Sequence, residues 1–251
     1  MDDLVTQLSS DPGHTGIFSD FDGTLARIVD DPADAQAVDG ASEALRALAD
    51  TYQRVGVISG RPAQFLIDRL DGRGLFLSGL YGMETVESGA VVATEEAAGW
   101  KPVVADLAAQ ARRDLGQGVY VEDKGLSVTI HYRRALDQVE AARRYAEEAA
   151  RSTGLVMHEA RLSFELAPPI VSSKGTVLAE VAGTLGAACF IGDDIGDLTA
   201  FDALDDLAAA GASAFRIGVE SPEAPPDLLR RADLVLEGPE VVVSFLQRLL
   251  P

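Results

Sequence analysis

The sequence is short of cysteine and of basic residues, and both shortages restrict what the chain can be. A single cysteine, Cys189, excludes an intrachain disulfide, so nothing in the composition calls for an oxidising compartment. The 21 Lys and Arg residues are outnumbered by 40 Asp and Glu residues, which gives a net charge of −19 at pH 7. Such a surface repels polyanions and disfavours binding to nucleic acids or to anionic lipid. A phosphate-bearing ligand would need a metal ion or a placed lysine.

Long apolar runs and a zinc-binding pattern are also missing. No stretch has the roughly 18 uninterrupted apolar residues of a membrane span, and residues 1–10 carry two aspartates without the basic residues of a secretory signal. His14, His131 and His158 are scattered along the chain. We therefore expect a soluble, cytoplasmic, monomeric protein that binds neither membrane nor nucleic acid.

What the 251 residues do contain, at 47% hydrophobic, is enough apolar material for a sizeable core in one or two domains. Short β-branched runs alternate with amphipathic helical stretches, a pattern typical of a parallel sheet with helical crossovers. The predicted strands are 17–21, 55–58, 75–80, 188–191, 215–219 and 234–236, with a hairpin around 87–89 and helices at 42–52, 62–70, 175–185, from about 197, and at 240–249.

The pattern changes in the middle of the chain. Two predicted strands, 119–123 and 126–133, are joined by Lys124-Gly125, a turn so short that the strands must be antiparallel. Apolar and polar residues alternate along the second strand, which predicts one packed and one wetter face. We predict an α/β domain formed by residues 1–101 and 169–251, interrupted at Pro102 and at Pro168-Pro169 by an α+β domain of residues 102–168, with helices at 103–115 and 137–151 and strands at 155–158 and 161–166.

Reactive side chains follow the predicted parallel strands, where open α/β sheets bind their ligands. Taken singly, each group has an ordinary explanation as a turn, a helix cap, a stray lysine or a solvated acidic loop. Their convergence at one sheet edge favours a catalytic site. The groups are Asp20 and Asp22 with Gly23-Thr24, then Ser59-Gly60-Arg61, then Lys174, and finally Asp193, Asp194 and Asp197.

The last loop points to a metal ion. Asp193, Asp194 and Asp197 place three carboxylates on one short loop, where they raise one another's pKa unless a cation lies between them. A hard cation that prefers oxygen ligands, Mg²⁺, explains such a loop most economically.

These motifs closely resemble those of the haloacid-dehalogenase-like phosphohydrolases, and more specifically the trehalose-6-phosphate phosphatase family. The resemblance covers about residues 16–249 and implies a Rossmann-like core with a cap domain inserted between its second and third motifs. It rests on Asp20-Phe21-Asp22-Gly23-Thr24, Ser59-Gly60-Arg61, Leu80-Tyr81-Gly82-Met83-Glu84, the segment 121–127 with His131-Tyr132-Arg133, Phe164-Glu165-Leu166, Lys174 and Gly192-Asp193-Asp194.

The resemblance also implies roles for these residues. Asp20 would attack phosphorus, Asp22 would act as general acid and then base, and Lys174 would offset charge. The implied phosphate-binding and substrate-binding residues are Gly23, Thr24, Ser59, Gly60, Arg61, Glu122, Lys124 and Glu165, the last three through sugar hydroxyls. Mg²⁺ would be held by Asp20, the Asp22 carbonyl and Asp193, with Asp194 and Asp197 further out.

The implied activity is Mg²⁺-dependent hydrolysis of trehalose 6-phosphate, with functional coupling to a trehalose-6-phosphate synthase. Two departures from the pattern of many relatives affect this assignment: Ala167 stands where an arginine precedes the proline, and Leu198 stands where a glutamate follows the last aspartate. Alternatives are a phosphatase for sucrose phosphate or glucosylglycerol phosphate, a phosphomutase, and a catalytically inactive sugar-phosphate-binding subunit. Retention of Asp20 and Asp22 argues against the last.

Overall fold

The structure is a computed structural model that describes residues 1–160, 162–221 and 224–251. Its β-strands are β1 (Thr15–Ser19), β2 (Arg54–Ile58), β3 (Phe76–Gly79), β4 (Glu84–Glu87), β5 (Ala90–Ala93), β6 (Tyr120–Asp123), β7 (Val128–His131), β8 (Val156–Ala160), β9 (Ser163–Ala167), β10 (Ala187–Gly192), β11 (Ser213–Val219) and β12 (Leu234–Leu236). Its α-helices are α1 (Asp2–Leu8), α2 (Ala41–Ala49), α3 (Ala63–Leu70), α4 (Glu95–Ala98), α5 (Lys101–Asp114), α6 (Val139–Thr153), α7 (Lys174–Ala182), α8 (Leu198–Ala209), α9 (Pro226–Arg231) and α10 (Pro239–Arg248).

The first compact unit comprises Met1–Val92 and Ser172–Pro251. Its sheet has the strand order β12-β11-β10-β1-β2-β3-β4-β5, parallel from β12 to β3 and antiparallel between β3 and β4. Because β1 pairs with β10 on one side and with β2 on the other, the carboxyl ends of these three strands lie side by side. The loops that follow them are therefore neighbours in space, although they are distant in sequence.

Both faces of this sheet are covered, which is why its central strands read as continuous apolar runs. Successive residues of β1 contribute to opposite faces: Ile17 packs into one apolar cluster and Phe18 into the other. Helices α2 and α10 supply the first cluster, and α7 and α8 supply the second. A strand held on both faces gives the residue that follows it a fixed position.

The second compact unit, Ala93–Val171, contains an antiparallel sheet in the order β6-β7-β9-β8. Helices α5 and α6 pack Leu107 and Ala146 against Ile130 and Phe164 on one face of this sheet. The opposite face of β7 was expected to be wetter, but Thr129 is only 3% exposed. The expectation fails at Ser127 and Thr129, which are buried, and holds at His131 and Arg133, which are half-buried and exposed.

The boundaries of the compact units differ from the division predicted from the prolines. The breaks lie at 92/93 and 171/172 instead of 101/102 and 168/169. Pro102 stands in the first turn of α5, where a missing N–H costs nothing, and Trp100 packs on the apolar cluster of the second unit. Pro102 therefore starts a helix inside that unit. The roles of the two units as catalytic core and cap stay predictions.

Several local expectations need adjustment. The cap of α2 is Gly40, in a left-handed conformation, so the helix begins at Ala41, one residue before its predicted start. Helices α1, α4 and α9 were not predicted, and the predicted strand 161–166 begins at Arg161, which lies outside the described residues. Within the described ranges, no helix is long and apolar enough to cross a membrane.

Candidate active site

Asp20 follows β1 directly and is held at the sheet edge by the backbone. Its N–H donates to the carbonyl oxygen of Ile191 at 2.9 Å, and the residue is 3% exposed. Gly23, with φ of 71°, turns the chain after it. A Cβ at Gly23 would lie 2.0 Å from Oδ2 of Asp193, so only glycine lets the loops after β1 and β10 approach this closely.

Lys174 is a buried cation surrounded by carboxylates. It opens α7, whose capping box joins Ser173 and Thr176, and its side chain is 2% exposed. Its Nζ lies 2.6 Å from Asp197 Oδ1, 3.0 Å from Asp20 Oδ2 and 3.5 Å from Asp194 Oδ1. Burial alone would lower the pKa of Lys174, but these carboxylates raise it well above its ordinary value. The side chain is therefore a fixed ammonium.

Asp197 organises the loop after β10. Its Oδ2 accepts hydrogen bonds from the N–H groups of Asp193 at 2.8 Å and of Asp194 at 2.9 Å, while its Oδ1 faces Lys174. Burial raises the pKa of the Asp197 carboxyl, whereas Lys174 and the backbone donors favour the ionised form. Asp194 caps the following turn by accepting from the N–H of Asp197 at 3.2 Å. Asp194 and Asp197 therefore both stabilise the loop through hydrogen bonds.

A group of three carboxylates can hold a divalent cation. Asp20, Asp193 and Asp197 each offer an oxygen, and these atoms lie within 4.8 Å of one another. Since both oxygens of Asp197 are already engaged, Asp20 and Asp193 are the better ligands. Oδ1 of Asp20 is buried and has no hydrogen-bond partner, as expected of an atom meant for a ligand.

The pKa values of Asp20 and Asp193 at this edge are both raised. Burial, opposed by Lys174, raises the pKa of Asp20 to about 6. Burial and the charge of Asp20 raise the pKa of Asp193 to about 7. A divalent cation between the two carboxylates would reverse this by stabilising both in the ionised form. The donor set therefore fits the predicted metal, with no sulfur or nitrogen ligand among its members.

Asp22 is paired with Arg61 from the neighbouring loop. Nε of Arg61 donates to Oδ2 of Asp22 at 2.6 Å, and Nη2 donates to Oδ1 at 2.7 Å. The pair is partly shielded, with the Arg61 side chain 14% exposed and that of Asp22 34% exposed. Arg61 was predicted to bind the phosphate, and its contact with Asp22 was not predicted from the sequence.

The loop that contains Ser59 and Gly60 leads into α3, whose first residue contacts the motif of residues 80–84. No role was predicted for this motif from the sequence. Ser59 is buried, and its Oγ accepts from the N–H of Arg61 at 3.3 Å. The first amide of α3 is occupied, because Ala63 N–H donates to Glu84 Oε2 at 2.9 Å. The N–H of Ala63 is therefore not available to an anion at this helix start. The sequence signal that could have predicted this contact was Glu84, the charged residue at the end of the motif of residues 80–84.

The residues predicted to bind sugar lie together on the second unit. Glu122, Thr129 and Glu165 are in register across β6, β7 and β9. Glu165 Oε1 accepts from Lys124 Nζ at 3.1 Å and from Ser127 Oγ at 2.7 Å, and Glu122 Oε2 lies 2.9 Å from Nε2 of His131. The three predicted residues thus take part in two groups of polar contacts, one that joins Glu165 to Lys124 and Ser127 and one that joins Glu122 to His131.

Comparison with known proteins decides the family. The sequence model of the family described as Trehalose-phosphatase matches residues 18–225. The chain belongs to that family. A trehalose-phosphate phosphatase of Mycobacterium leprae is 39% identical over 203 residues, a match that covers 75% of this chain and 47% of that protein. The chain thus spans about half the length of curated relatives that it matches.

Solved structures share the fold. A trehalose-6-phosphate phosphatase related protein superposes with a TM-score of 0.79 at 23% identity, over 92% of this chain and 95% of that one. The C-terminal domain of the trehalose synthase regulatory protein of Candida albicans superposes with a TM-score of 0.69 at 13% identity, over 99% of this chain and 97% of that one. The predicted family and the predicted α/β class with a haloacid-dehalogenase-like core are confirmed.

Proposed function

We propose that this chain is a Mg²⁺-dependent phosphatase that hydrolyses trehalose 6-phosphate to trehalose and inorganic phosphate. One observation carries the proposal: in a member of the trehalose-phosphatase family, Asp20 stands at the end of a central strand with one oxygen on Lys174 and the other buried without a partner. A carboxylate in this setting is held in one orientation and has one oxygen without a hydrogen-bond partner. A nucleophile that also binds a metal ion needs both properties.

The residues support a two-step displacement. An oxygen of Asp20 attacks phosphorus and the ester bond to the sugar oxygen breaks, which gives an aspartyl-phosphate. Asp22 donates a proton to the leaving oxygen and then takes one from the water that attacks the aspartyl-phosphate, so that phosphate and free Asp20 result. Lys174 holds Asp20 in one orientation throughout. Mg²⁺, held by Asp20, Asp193 and the carbonyl of Asp22, would neutralise phosphate charge when bound.

Several residues next to these groups fit phosphate binding. Thr24 is fully buried, and its Oγ1 lies 3.4 Å from Asp193 Oδ1, at the edge where the phosphate would bind. Ser59 accepts a hydrogen bond from the Arg61 backbone, so its hydroxyl proton stays available for an anion. Gly23 and Gly60 have no side chain, so the phosphate would be able to come close to the backbone at these two residues. These assignments follow the predicted phosphate-binding set.

Sugar recognition is proposed for Glu122, Lys124 and Glu165. Two carboxylates and an ammonium can accept hydrogen bonds from sugar hydroxyls and donate hydrogen bonds to them, and these three side chains belong to one unit. The predicted division into a catalytic core and a substrate-recognising cap is part of this proposal, as are the cytoplasmic location, the monomeric state and the coupling to a synthase.

The fold alone does not exclude an inactive binding subunit, because the regulatory domain from Candida albicans shares it. Asp20, Asp22 and Lys174 carry the decision, since a pure binding subunit has no use for an oriented nucleophile beside an acid–base group. Ala167, which replaces an expected arginine, is the feature that favours a different sugar phosphate as the second candidate.

The test is a phosphate-release screen with Mg²⁺ over trehalose 6-phosphate, sucrose phosphate, glucosylglycerol phosphate and monosaccharide phosphates. Trehalose 6-phosphate should give the highest kcat/KM, and Asp20→Asn should lower turnover by several orders of magnitude while circular dichroism stays unchanged. Isomerised sugar phosphate without phosphate release would indicate a phosphomutase. A folded Asp20→Asn protein with near-normal turnover would exclude the mechanism.

A further inference from the structure

Arg61 is bound to Asp22 in a geometry that fixes the plane of the carboxylate. Two parallel N–H···O bonds, of 2.6 Å from Nε and 2.7 Å from Nη2, take one carboxylate oxygen each. A bidentate guanidinium pair restricts both the position and the rotation of its partner, whereas a single contact restricts position alone.

The guanidinium of Arg61 is itself held in place by two further contacts. Its Nη1 donates to the carbonyl oxygen of Pro32 at 2.8 Å, and its Cζ stacks 4.6 Å from the centre of the Phe65 ring. Phe65 in turn packs edge-on against Phe21, the residue between Asp20 and Asp22, with ring centroids 5.6 Å apart. Arg61 therefore ties Asp22 to α3 and to the segment that follows β1.

We infer that Arg61 is a positioning residue that aims Asp22 for proton transfer. The inference rests on the proposed phosphatase function and departs from the role predicted for Arg61 as a phosphate ligand. With three parts of its guanidinium engaged by Asp22, Pro32 and Phe65, Arg61 is built to hold a side chain. Its contribution to the reaction should therefore pass through Asp22.

Substrates with different leaving groups distinguish a positioning role of Arg61 from a role in phosphate binding. A sugar alkoxide is a poor leaving group that requires a proton from Asp22, while p-nitrophenolate leaves without one. Misdirecting Asp22 should slow formation of the aspartyl-phosphate from a sugar phosphate and leave its formation from p-nitrophenyl phosphate nearly unchanged. A loss of phosphate binding would affect both substrates alike.

Arg69 is the matched control. It stacks on the same Phe65 ring, with Cζ 4.7 Å from the centroid, and its hydrogen bonds go to the carbonyl oxygens of Ala35 at 2.9 Å and Ala33 at 3.0 Å. Arg69→Gln thus removes a cation that supports the same ring and the same segment after β1, without altering the carboxylate of Asp22.

The experiment compares Arg61→Gln, Arg61→Lys, Asp22→Asn, the double variant Arg61→Gln/Asp22→Asn and Arg69→Gln. Arg61→Gln should lower kcat for trehalose 6-phosphate by about 10- to 100-fold with KM within a few-fold, because orientation is lost and binding is kept. Arg61→Lys, which cannot form two parallel bonds, should recover part of this loss. The pre-steady-state burst of p-nitrophenol should stay within a few-fold for every Arg61 variant, and Arg69→Gln should resemble wild type.

The decisive comparison is made in the Asp22→Asn background. There the further change Arg61→Gln should have no effect on kcat, since its target is gone. Tungstate affinity, measured by calorimetry with Mg²⁺, should also be equal in wild type and in the double variant, which removes the charges of Arg61 and Asp22 together. Additive kinetic losses, or a tungstate affinity at least tenfold weaker in the double variant, would overturn the inference and make Arg61 a phosphate ligand.

The calorimetric comparison does not depend on the identity of the substrate. If wild type fails to hydrolyse trehalose 6-phosphate while tungstate binding is independent of Arg61, the proposed function fails and the assignment of Arg61 to Asp22 stands. If trehalose 6-phosphate is hydrolysed and the Arg61 and Asp22 effects are additive, the proposed function stands and the positioning role is excluded.

Discussion

Lys174→Met would test whether buried charges hold the candidate site together. The substitution removes an ammonium that lies 2.6 Å from Asp197 Oδ1 and 3.0 Å from Asp20 Oδ2, and keeps a side chain of similar length. At an effective dielectric constant of about 20, each contact is an attraction of roughly 5–6 kcal/mol. The cost of burying the ammonium offsets much of this, and breaking a buried pair by removing one partner typically costs about 3–5 kcal/mol.

The loss should fall mainly on Asp20. Asp197 keeps the two backbone N–H donors on its Oδ2, whereas Asp20 would lose its ammonium partner and its Oδ1 already has no hydrogen-bond partner. Lys174 lowers the pKa of Asp20, which burial has raised, so the variant should raise that pKa beyond about 6. A carboxyl with a raised folded pKa contributes stability at low pH that is lost as pH rises through that pKa. The destabilisation by Lys174→Met should therefore grow between pH 5.5 and pH 8.

The assay is urea unfolding in chelator at both pH values, followed by circular dichroism, with hydrogen exchange of the β1 and β10 amides as the local measurement. Asp20→Asn in the variant should recover part of the loss, because it removes the unpaired charge. Lys101→Met, at an exposed position in α5, is the control and should change stability by less than about 0.5 kcal/mol. A Lys174→Met protein within about 1 kcal/mol of wild type at pH 8 without metal would refute this reasoning.

Three further predictions concern the metal, the pH and the sugar. Exhaustive chelation should stop phosphate release with little loss of circular dichroism and Mg²⁺ should restore it, since the carboxylates lie on loops outside the core; full activity in chelator would exclude the metal. Metal-free protein should lose stability as pH rises from about 4 to 7, because burial raises the pKa of Asp20 to about 6 and the pKa of Asp193 to about 7. Mg²⁺ should therefore raise Tm more at pH 8 than at pH 5.5, and an equal rise in Tm at both pH values would contradict this. Lys124→Ala and Glu165→Ala should lower kcat/KM for trehalose 6-phosphate by roughly 10- to 150-fold and change p-nitrophenyl phosphate hydrolysis only a few-fold, whereas equal losses would place them in the catalytic machinery.

The position of the site was predictable because parallel strands leave a strong signal. Buried on both faces, β1 and β10 read as apolar runs, and polar residues just after such runs fall on one sheet edge. The sequence prediction extended the first strand to residue 21, whereas β1 ends at Ser19, so Asp20 lies just outside the strand. An error of two residues left the sheet edge unchanged.

The pairings within the site could not be read from the sequence. Arg61 and Asp22 are 39 residues apart, and Ala63 and Glu84 are 21 apart. Apolar periodicity reports burial of a segment, while the partner of a charged side chain depends on which loops meet and on rotamers within them. The same limit explains why the burial of Thr129 was not predicted, since alternation carries no information about what lies above a sheet.

The charges at this edge favour the binding of a divalent cation beside the phosphate. The two cations that contact the site are already paired with carboxylates, Lys174 with Asp20 and Asp197, and Arg61 with Asp22. Neither therefore brings net positive charge to an incoming phosphate dianion. Among the described residues of the candidate site, five carboxylates against two cations give a formal charge of −3 when all are ionised. A divalent cation would reduce this charge to −1 and would place positive charge next to the phosphate, which the two paired side chains do not do. The carboxylates are Asp20, Asp22, Asp193, Asp194 and Asp197, and the cations are Arg61 and Lys174.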